Sequence, residues 1–479
     1  MKIKKDRLGL AIAILIFLIV FSIRLYISFS AYGFKDDTSY FHARYIENLK
    51  QDLRPRFYDE LSYSGRPIIP NFFFHYCLLA FSWIPAYLKL VPQLFISLSV
   101  IISYLFARKF LKEFSAIFSS FVVGFLPLLF KETINSINVF SLFLPLTVLL
   151  FYFFTLKKFK LFFITSIALS LLHPYALFIA VVFVFYLLLS YAEDVLQRWE
   201  LKYAILFLVT ASLVNLLIYF KPISYYGIEV LYGNIPKSML VQSYKQLGVL
   251  SLIYNIGYVP LIFGGVAMYY GISRRVKFAY LLGSLALIAV TFVYLHIINF
   301  FFGLIFLSLA LALLSGYFVE KLYNYLTLTK ISKFKNFIIG ILILAVVATS
   351  VYASLDIGIN VNKYSRTAEE LNSLLEVKNT SRNAVVVSDI FDGNFISYTG
   401  LRNVVDLNFL LAPDPLERLL DIDAFFTTAN EDRALEIAHK YNVSYIFVSK
   451  RTEALYGEPK FEEMGCFKRK NIYVYKVTC

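Results

Sequence analysis

Long apolar runs separated by short charged stretches fill the first three quarters of the chain. A helix that crosses a membrane needs about 20 predominantly apolar residues, and the pattern predicts about 11 crossings in residues 1–358. The candidate spans are 8–30, 92–110, 114–130, 139–156, 161–173, 174–191, 203–220, 248–271, 278–296, 297–318 and 337–355. The run 161–173 is the shortest of them. We therefore predict an all-α polytopic membrane domain.

The apolar stretch 68–87 differs from these runs, because it carries Asn71, His75 and Trp83 together with two prolines. Polar groups and prolines of this kind suit an interfacial or re-entrant helix better than a crossing. We place the stretch in a first outer loop, residues 31–91.

Clusters of lysine and arginine indicate the orientation of the chain in the membrane. They occupy 2–7, 108–112, 157–160, 198–202, 274–277 and 321–335, and they all fall on one side if 68–87 does not cross. The positive-inside rule assigns that side to the cytoplasm. This predicts a cytoplasmic N-terminus, outer loops at 31–67, 131–138 and 221–247, and a C-terminal tail on the outer side.

The C-terminal part, residues 359–479, has a different pattern. Short β-rich segments at 384–390, 402–407, 444–450 and 472–477 alternate with amphipathic segments at 416–426 and 430–441, which predicts a small extracytoplasmic α/β domain. Its acids Asp389, Asp392 and Asp406 flank strand ends, where solvated turns are expected. Cys466 and Cys479 could pair in an oxidising space, but nothing in the sequence fixes their geometry, so we favour free thiols.

The composition agrees with a membrane protein. Hydrophobic residues make up 59% and charged residues 16% of the 479 residues, with a mean hydropathy of +0.67. The net charge of +14 comes mainly from the clusters beside apolar runs, so we interpret it as orientation in a lipid bilayer and not as nucleic-acid binding. Three cysteines are too few for a cysteine-rich metal site.

Residues 35–44, KDDTSYFHAR, place a dense polar cluster directly after the first span. Asp36 and Asp37 could give their oxygens to a hard divalent cation such as Mg²⁺ or Mn²⁺. On a helix, Asp37, Tyr40 and Arg44 would share one face. The alternative is a capped, solvated helix start, since Asp is common at that position.

Further candidates lie in the later outer loops. His173 precedes a proline, where it could meet a phosphate or satisfy backbone groups that the proline frees. Glu132 and Glu229 are single acids that could be second metal ligands, although solvation is the default for such residues. His296 and Asn299 lie at a junction of two spans, where they are either functional or helix caps.

The segment KDDTSYFHAR is similar to the first-loop motif of the catalytic subunit of oligosaccharyltransferases and related GT-C glycosyltransferases. In that motif an Asp binds the divalent metal and a Tyr-aromatic-His-x-Arg stretch follows. YDELSYSGRPIIPN resembles the rest of that loop, the segment ARKFLKEFSAIFSSFVVGFLPLLFKETINSINVFSLFLPL resembles the two spans around the second outer loop, and DGNFISYTGLRNVVDLN is similar to the stretch beginning at the family's WWDYG. The resemblance covers nearly the whole chain. It implies a GT-C-like helical bundle that takes a sugar from a polyprenyl-phosphate carrier at the outer membrane face.

The chain also departs from the family's pattern. Asn138, with Glu132 upstream, stands where the family has an acidic pair, and Asn299 stands where a late arginine grips the donor phosphate. The tryptophans of WWDYG, which recognise an acceptor peptide, are absent from SDIFDGN. Glu229 matches the family's flexible-loop glutamate only loosely. We therefore expect an acceptor other than an Asn-x-Ser/Thr peptide.

The resemblance implies the following roles. Asp37 would be the metal ligand or general base, supported by Asp36, with Glu132 as a second ligand. The substrate-binding residues would be Arg44, Tyr40, His42, Arg66, His173 and Glu229. In an enzyme, Asp37, Arg44, His173 and Glu132 or Glu229 should line one outer cavity. The alternative is a non-catalytic scaffold or a transporter of lipid-linked glycans.

Overall fold

The computed structural model describes residues 2–69, 72–228, 248–457 and 460–479, so Glu229 lies outside the described residues. The helices before residue 363 are α1 (Lys2–Phe29), α2 (Thr38–Asp52), α3 (Phe72–Leu79), α4 (Tyr87–Ala107), α5 (Glu113–Gly124), α6 (Pro127–Thr133), α7 (Phe140–Thr155), α8 (Phe159–Leu172), α9 (Ala176–Ala192), α10 (Arg198–Tyr226), α11 (Val249–Ile256), α12 (Gly265–Ser273), α13 (Lys277–Tyr294), α14 (Phe300–Leu328) and α15 (Lys335–Asn362). A two-stranded hairpin, β1 (Tyr58–Asp59) and β2 (Arg66–Pro67), follows α2.

Seven helical segments in the described part are long and apolar enough to cross a membrane, or eight if one bent pair counts as a single span. Three shorter apolar helices, α7, α8 and α9, lie among them. The structure therefore confirms several apolar spans but not the predicted count of eleven. Helix α3 has eight residues and is too short to cross a bilayer by itself.

The predicted single span 248–271 is instead two helical segments, Leu250–Ile256 and Pro260–Ser273, that meet at an angle of 81°. The break has a local cause. Gly257 has a φ of +95°, which glycine adopts readily, and Pro260 follows it within a π-helical turn, Pro260–Gly264.

Helix α14 lies in the interior of the bundle, while α1 is largely exposed. Gly316 of α14 packs so closely on α5 that an added Cβ would lie 2.1 Å from Ser119 Oγ. On α1, Leu15 and Leu18 are 56% and 49% exposed. Exposed apolar side chains of this kind on a long helix suit contact with lipid.

Beyond residue 363 the chain forms a five-stranded sheet with flanking helices. The strands are β3 (Val385–Val387), β4 (Arg402–Asn403), β5 (Tyr445–Phe447), β6 (Phe467–Arg469) and β7 (Val474–Val477) in the order β4-β3-β5-β7-β6. The helices are α16 (Ala368–Thr380), α17 (Gly393–Tyr398), α18 (Pro415–Thr427), α19 (Glu431–Lys440) and α20 (Lys450–Tyr456). Strand β3 pairs in parallel with β4 and β5, and β7 pairs antiparallel with β5 and β6.

Each of the four predicted strands and both predicted helices has a counterpart in this part of the chain. Strand β6 and helices α16, α17 and α20 were not predicted. The prediction of free thiols was wrong, because Cys466 and Cys479 form a disulfide.

The prediction of solvated turns at the three tail acids was also wrong. Asp389, Asp392 and Asp406 are at most 1% exposed. Asp392 accepts hydrogen bonds from Ser449 Oγ at 2.7 Å and Thr452 Oγ1 at 2.9 Å, and it pairs with Arg366. Buried carboxylates need such partners, and these contacts are not readable from strand ends alone.

The first outer loop is fastened to the sheet by side-chain hydrogen bonds. Ser62 Oγ donates to Asp406 Oδ2 at 2.6 Å, and Tyr63 OH donates to the Asp406 carbonyl at 2.9 Å. The Tyr63 backbone N–H donates to Asn403 Oδ1 at 2.7 Å. These bonds hold the sheet against the loop that follows α2.

Candidate functional site

The two adjacent acids before α2 have different surroundings. Asp37 is 2% exposed and accepts three hydrogen bonds from the start of α17: from Asn394 N at 3.0 Å, Asn394 Nδ2 at 2.8 Å and Phe395 N at 2.8 Å. Burial raises the pKa of Asp37 well above its usual range, against the opposing effect of Arg366. Both oxygens of Asp37 are thus occupied by the C-terminal domain.

Asp36 is half-buried and keeps one oxygen available. Its Oδ1 accepts from Ser39 N at 2.8 Å, Ser39 Oγ at 2.5 Å and Thr38 Oγ1 at 3.4 Å, in the manner of a helix cap. Its Oδ2 has no hydrogen-bond partner in the described part of the chain. Asp36, and not Asp37, therefore has an oxygen free for a ligand.

Ser39 connects this acid to the second outer loop. It accepts a hydrogen bond from the backbone N–H of Ile137 at 2.8 Å, and its hydroxyl lies 3.4 Å from that of Ser136. Asn135, fully buried, donates through Nδ2 to the Gly33 carbonyl at 2.9 Å and to Asn362 Oδ1 at 2.7 Å. These contacts fix the second loop beside the start of α2.

Two cavities adjoin this junction. The first, which we call the histidine cavity, has a volume of about 320 Å³ and is lined by His42, His173, His296 and Arg66, among other residues. The second, which we call the basic cavity, has a volume of about 720 Å³. Its charged lining residues are Lys35, Asp36, Lys131, Glu132, Lys363, Arg366, Glu370, Lys450 and Arg451. Thr38, Asn138 and Phe302 line both cavities.

His42 reaches the histidine cavity as part of a buried histidine pair. Its Nδ1 lies 2.8 Å from His75 Nε2, so one ring donates and the other accepts. Burial lowers the pKa of His42 to about 4 and that of His75 well below its usual range. Both rings are therefore neutral near pH 7, and His42 can hydrogen-bond a ligand without carrying charge.

Arg66 supplies a cation to the same cavity. It is 2% exposed and donates through Nε to Ser62 Oγ at 2.6 Å and through Nη1 to the Leu410 carbonyl at 2.6 Å. Its Nη2 has no hydrogen-bond partner in the described residues and lies 3.8 Å from Asp406 Oδ1. The guanidinium is thus held rigidly, with its Nη2 buried beside Asp406.

His173 and Asn299 also have local structural partners. His173 Nδ1 accepts from the Tyr175 backbone N–H at 3.2 Å, just after the proline. Asn299 Oδ1 accepts from Phe301 N at 3.0 Å and so caps α14. Both line the histidine cavity, so these backbone contacts orient their remaining polar atoms.

Three solved structures of one archaeal enzyme are similar to this chain. The Archaeoglobus fulgidus oligosaccharyltransferase tethered with an acceptor peptide containing the NVT sequon has a TM-score of 0.68 at 14% identity and covers 96% of this chain and 74% of its own. The chain has the oligosaccharyltransferase fold. The complex with an inhibitory peptide and a dolichol-phosphate has a TM-score of 0.67 at 13% identity, and the match covers 92% of this chain and 69% of the archaeal chain. The complex with Zn and sulfate has a TM-score of 0.63 at 13% identity, and the match covers 90% of this chain and 67% of the archaeal chain.

No family model matches the chain, and no curated protein matches it in sequence. The likeness to the oligosaccharyltransferase fold is therefore structural, and it confirms the predicted resemblance to GT-C membrane glycosyltransferases at low sequence identity.

Within the oligosaccharyltransferase fold, the predicted site residues do not line one cavity. Asp37 lines neither cavity, and Tyr40 packs its ring on Phe395 at 4.8 Å. Arg44 lines neither cavity and forms a bidentate ion pair with Asp59, with which it lines a third cavity. His42, Arg66 and His173 share the histidine cavity, whereas Asp36 and Glu132 share the basic one. The expected convergence of Asp37, Arg44, His173 and Glu132 is thus not observed.

The predicted metal ligands do not fit a divalent cation. The oxygens of Asp37 accept three N–H groups, and Glu132 lies beside the cations Lys35 and Lys131, which oppose binding of another cation. Among the described residues there is no group of three or more His, Cys, Asp or Glu side chains placed to hold a metal ion. Mg²⁺ and Mn²⁺ require oxygen ligands that are free to coordinate.

Sequence reasoning missed Arg366, Lys450 and Arg451. Arg366 is buried and pairs with Asp392 and Glu370, and the Arg451 guanidinium lies 3.8 Å above the Phe391 ring. The basic pair Lys450 and Arg451 at the end of the predicted strand 444–450 was a possible signal, because ligands often bind beyond the carboxyl ends of parallel strands.

Proposed function

We propose that the protein is a membrane glycosyltransferase that moves a sugar from a polyprenyl-phosphate-linked donor onto an acceptor hydroxyl. The single observation that carries this proposal is that Asp36 lines the basic cavity with an Oδ2 that has no hydrogen-bond partner among the described residues, two residues before Thr38, which lines both cavities. A structural relative with the same fold is described in complex with a dolichol-phosphate. That complex supports a lipid-phosphate donor.

Asp36 acts as the general base in this proposal. The acceptor hydroxyl donates its proton to Asp36 Oδ2 and its oxygen bonds to C1 of the donor sugar. The bond between C1 and the phosphate oxygen breaks, and the phosphate leaves with the electron pair. A base must lie within hydrogen-bonding reach of the proton that it takes, so the acceptor occupies the basic cavity.

The donor phosphate occupies the histidine cavity. In a single displacement the attacking and departing oxygens lie on opposite faces of the sugar, and Thr38 and Asn138 line the wall between the two cavities. The Arg66 guanidinium and the neutral ring of His42 line this cavity, where they stabilise the charge that develops on the departing phosphate. The product sugar therefore has the inverted configuration at C1.

Asp37 positions Asp36 rather than reacting. Its bonds to Asn394 and Phe395 hold the C-terminal domain against the start of α2, which fixes the geometry of the neighbouring acid. No step of the proposed reaction passes through a metal ion, because the residues present do not fit one.

An Asn-x-Ser/Thr peptide is not the acceptor in this proposal. The segment that stands at the family's peptide-recognition motif carries Asp392, whose oxygens are bound inside the domain by Arg366, Ser449 and Thr452. These contacts leave that carboxylate unavailable to a peptide.

We also propose that the N-terminus is cytoplasmic and the C-terminal domain extracytoplasmic. The Cys466–Cys479 disulfide supports this orientation, because disulfides persist mainly in oxidising compartments. The basic clusters beside the apolar helices support it as well.

The test is label transfer in membranes supplied with radiolabelled polyprenyl-phosphate sugars and endogenous acceptor. Wild-type protein should transfer label, and Asp36→Asn should lose at least 100-fold in rate, the lower range for removing a general base. Asp52 is an exposed acid at the far end of α2, and Asp52→Asn is the matched control that should keep full activity. Transfer by Asp36→Asn at the wild-type rate, or no transfer by wild type from any donor, would exclude the proposed reaction.

A further inference from the structure

The basic cavity contains more cations than its acids can balance. Six lysine or arginine side chains and three carboxylates line it among the described residues. Arg366 is buried and Lys35, Lys131 and Arg451 are half-buried, while Lys363 and Lys450 are exposed. A concave site lined by one sign of charge concentrates ligands of the opposite sign.

Most of these cations form no direct ion pair among the described residues, although Glu132 lies near Lys35 and Lys131. In the part of the chain that the structure describes, Arg366 is the only one of the six in an ion pair, with Asp392 and Glu370. Lys35 donates to the Lys131 carbonyl, and Lys363 donates to Asn360 Oδ1 at 2.8 Å.

Two further cations contact aromatic rings. Lys131 lies 4.2 Å from the Phe301 ring centroid and Arg451 lies 3.8 Å from that of Phe391. Neutral partners of this kind hold a cation in place without cancelling its charge. Since three carboxylates line the cavity with these six cations, an excess of three positive charges is left to a ligand.

The position of the cavity identifies which substrate meets these charges. Asp36 lines the basic cavity, and the base must contact the nucleophile. The ligand of this cavity is therefore the acceptor and not the donor phosphate, which leaves on the opposite side. This step rests on the proposed function.

We propose that the acceptor is an anionic saccharide, bearing phosphate or carboxylate groups that bind Lys450, Arg451 and the neighbouring lysines while one of its hydroxyls lies at Asp36. Phosphate and carboxylate share the recognition chemistry of charge-assisted hydrogen bonds. A neutral glycan would leave the excess positive charge of this cavity without a counterion.

The test measures binding to the full chain in detergent micelles by isothermal titration calorimetry. Three probes share one disaccharide core: a phosphate monoester, a uronic acid and the neutral parent. The variant Lys363→Glu/Lys450→Glu reverses two exposed charges of the cavity, so it leaves the fold intact. The control, Lys468→Glu, reverses an exposed lysine on β6 outside the cavity.

At least one anionic probe should bind wild type tenfold or more tightly than the neutral parent, and the preference between phosphate and carboxylate identifies the acceptor group. The double variant should reduce that binding at least tenfold and Lys468→Glu less than twofold. Added salt should weaken the anionic probe selectively. Equal binding of all three probes, or equal binding by wild type and the double variant, would overturn the proposal.

The binding experiment and the label-transfer experiment can fail independently of each other. If label transfer occurs but the anionic probes bind no better than the neutral one, the proposed glycosyltransferase activity is supported and the acceptor is neutral. If the anionic probes bind as expected but no donor supports transfer, the cavity is an anion site and the proposed reaction fails.

Discussion

Replacing Asp37 with alanine should loosen the contact between α2 and the C-terminal domain. The change removes the acceptor of three hydrogen bonds, and it leaves the buried backbone N–H groups of Asn394 and Phe395 without a partner. Each such orphaned group costs about 1–3 kcal/mol, and truncating one partner of a buried charge interaction costs about 3–5 kcal/mol. Arg366 keeps Asp392 and Glu370 as partners, so we expect a total of about 3 kcal/mol.

The assay is hydrogen–deuterium exchange of the full chain in micelles, read at the peptide that contains α17. A loss of about 3 kcal/mol corresponds to exchange more than 100-fold faster, since 1.4 kcal/mol is a factor of ten. Asp36→Ala is the matched control, and it should cost about 1 kcal/mol, as for a lost helix cap. If Asp37→Ala exchanges within threefold of wild type, Asp37 does not hold the two parts together and its assignment as a positioning residue is incorrect.

Three other variants test the surroundings of the site. Arg44→Ala should cost about 3–5 kcal/mol, because it leaves Asp59 buried without its cation, and adding Asp59→Ala should recover part of that loss in exchange measurements. Burial and the neighbouring Asp392 raise the pKa of Asp389 to about 7. Between pH 4 and pH 7 the folded state therefore holds a proton that the unfolded chain has released, so its stability falls as the pH rises. Hydrogen-exchange protection around β3 should accordingly fall from pH 5 to pH 7.5, and this fall should disappear in Asp389→Asn. Arg66→Gln should raise the KM for the lipid-phosphate donor at least tenfold while leaving the binding of acceptor probes unchanged.

The regular elements of this protein could be predicted because their signals are local. Apolar length identifies most of the membrane helices, and β-rich segments identify β3, β4, β5 and β7. The bend near Gly257 was missed because glycine and proline also occur inside unbroken spans. Strand β6 was missed because its Phe467–Arg469 segment has one apolar residue and two charged ones.

The roles of adjacent acids could not be predicted from the sequence. Asp36 and Asp37 are neighbours with the same chemistry, and what separates them is a contact made by residues more than 350 positions away. The burial of Asp392 and Asp406 depends equally on distant partners, such as Ser449 and Ser62. A local pattern contains none of this information.

Arg24 is an arginine within the first apolar span, a sequence signal that the predictions above did not use. An arginine within an apolar span usually has a specific partner, and here Arg24 is 1% exposed and donates to Gln93 Oε1 at 3.1 Å and to Thr133 Oγ1. It therefore ties α1 to α4 and to the end of α6, directly before the second outer loop. The sequence marked the residue, but only the fold identifies its partners.

The central claim is that a lipid phosphate occupies the histidine cavity while the acceptor occupies the basic cavity, which Asp36 lines. The most direct measurement is a cryo-EM structure of the full chain with a polyprenyl monophosphate. The account predicts phosphate density in the histidine cavity, beside Arg66 and His42. Phosphate density in the basic cavity, beside Lys450 and Arg451, would contradict it.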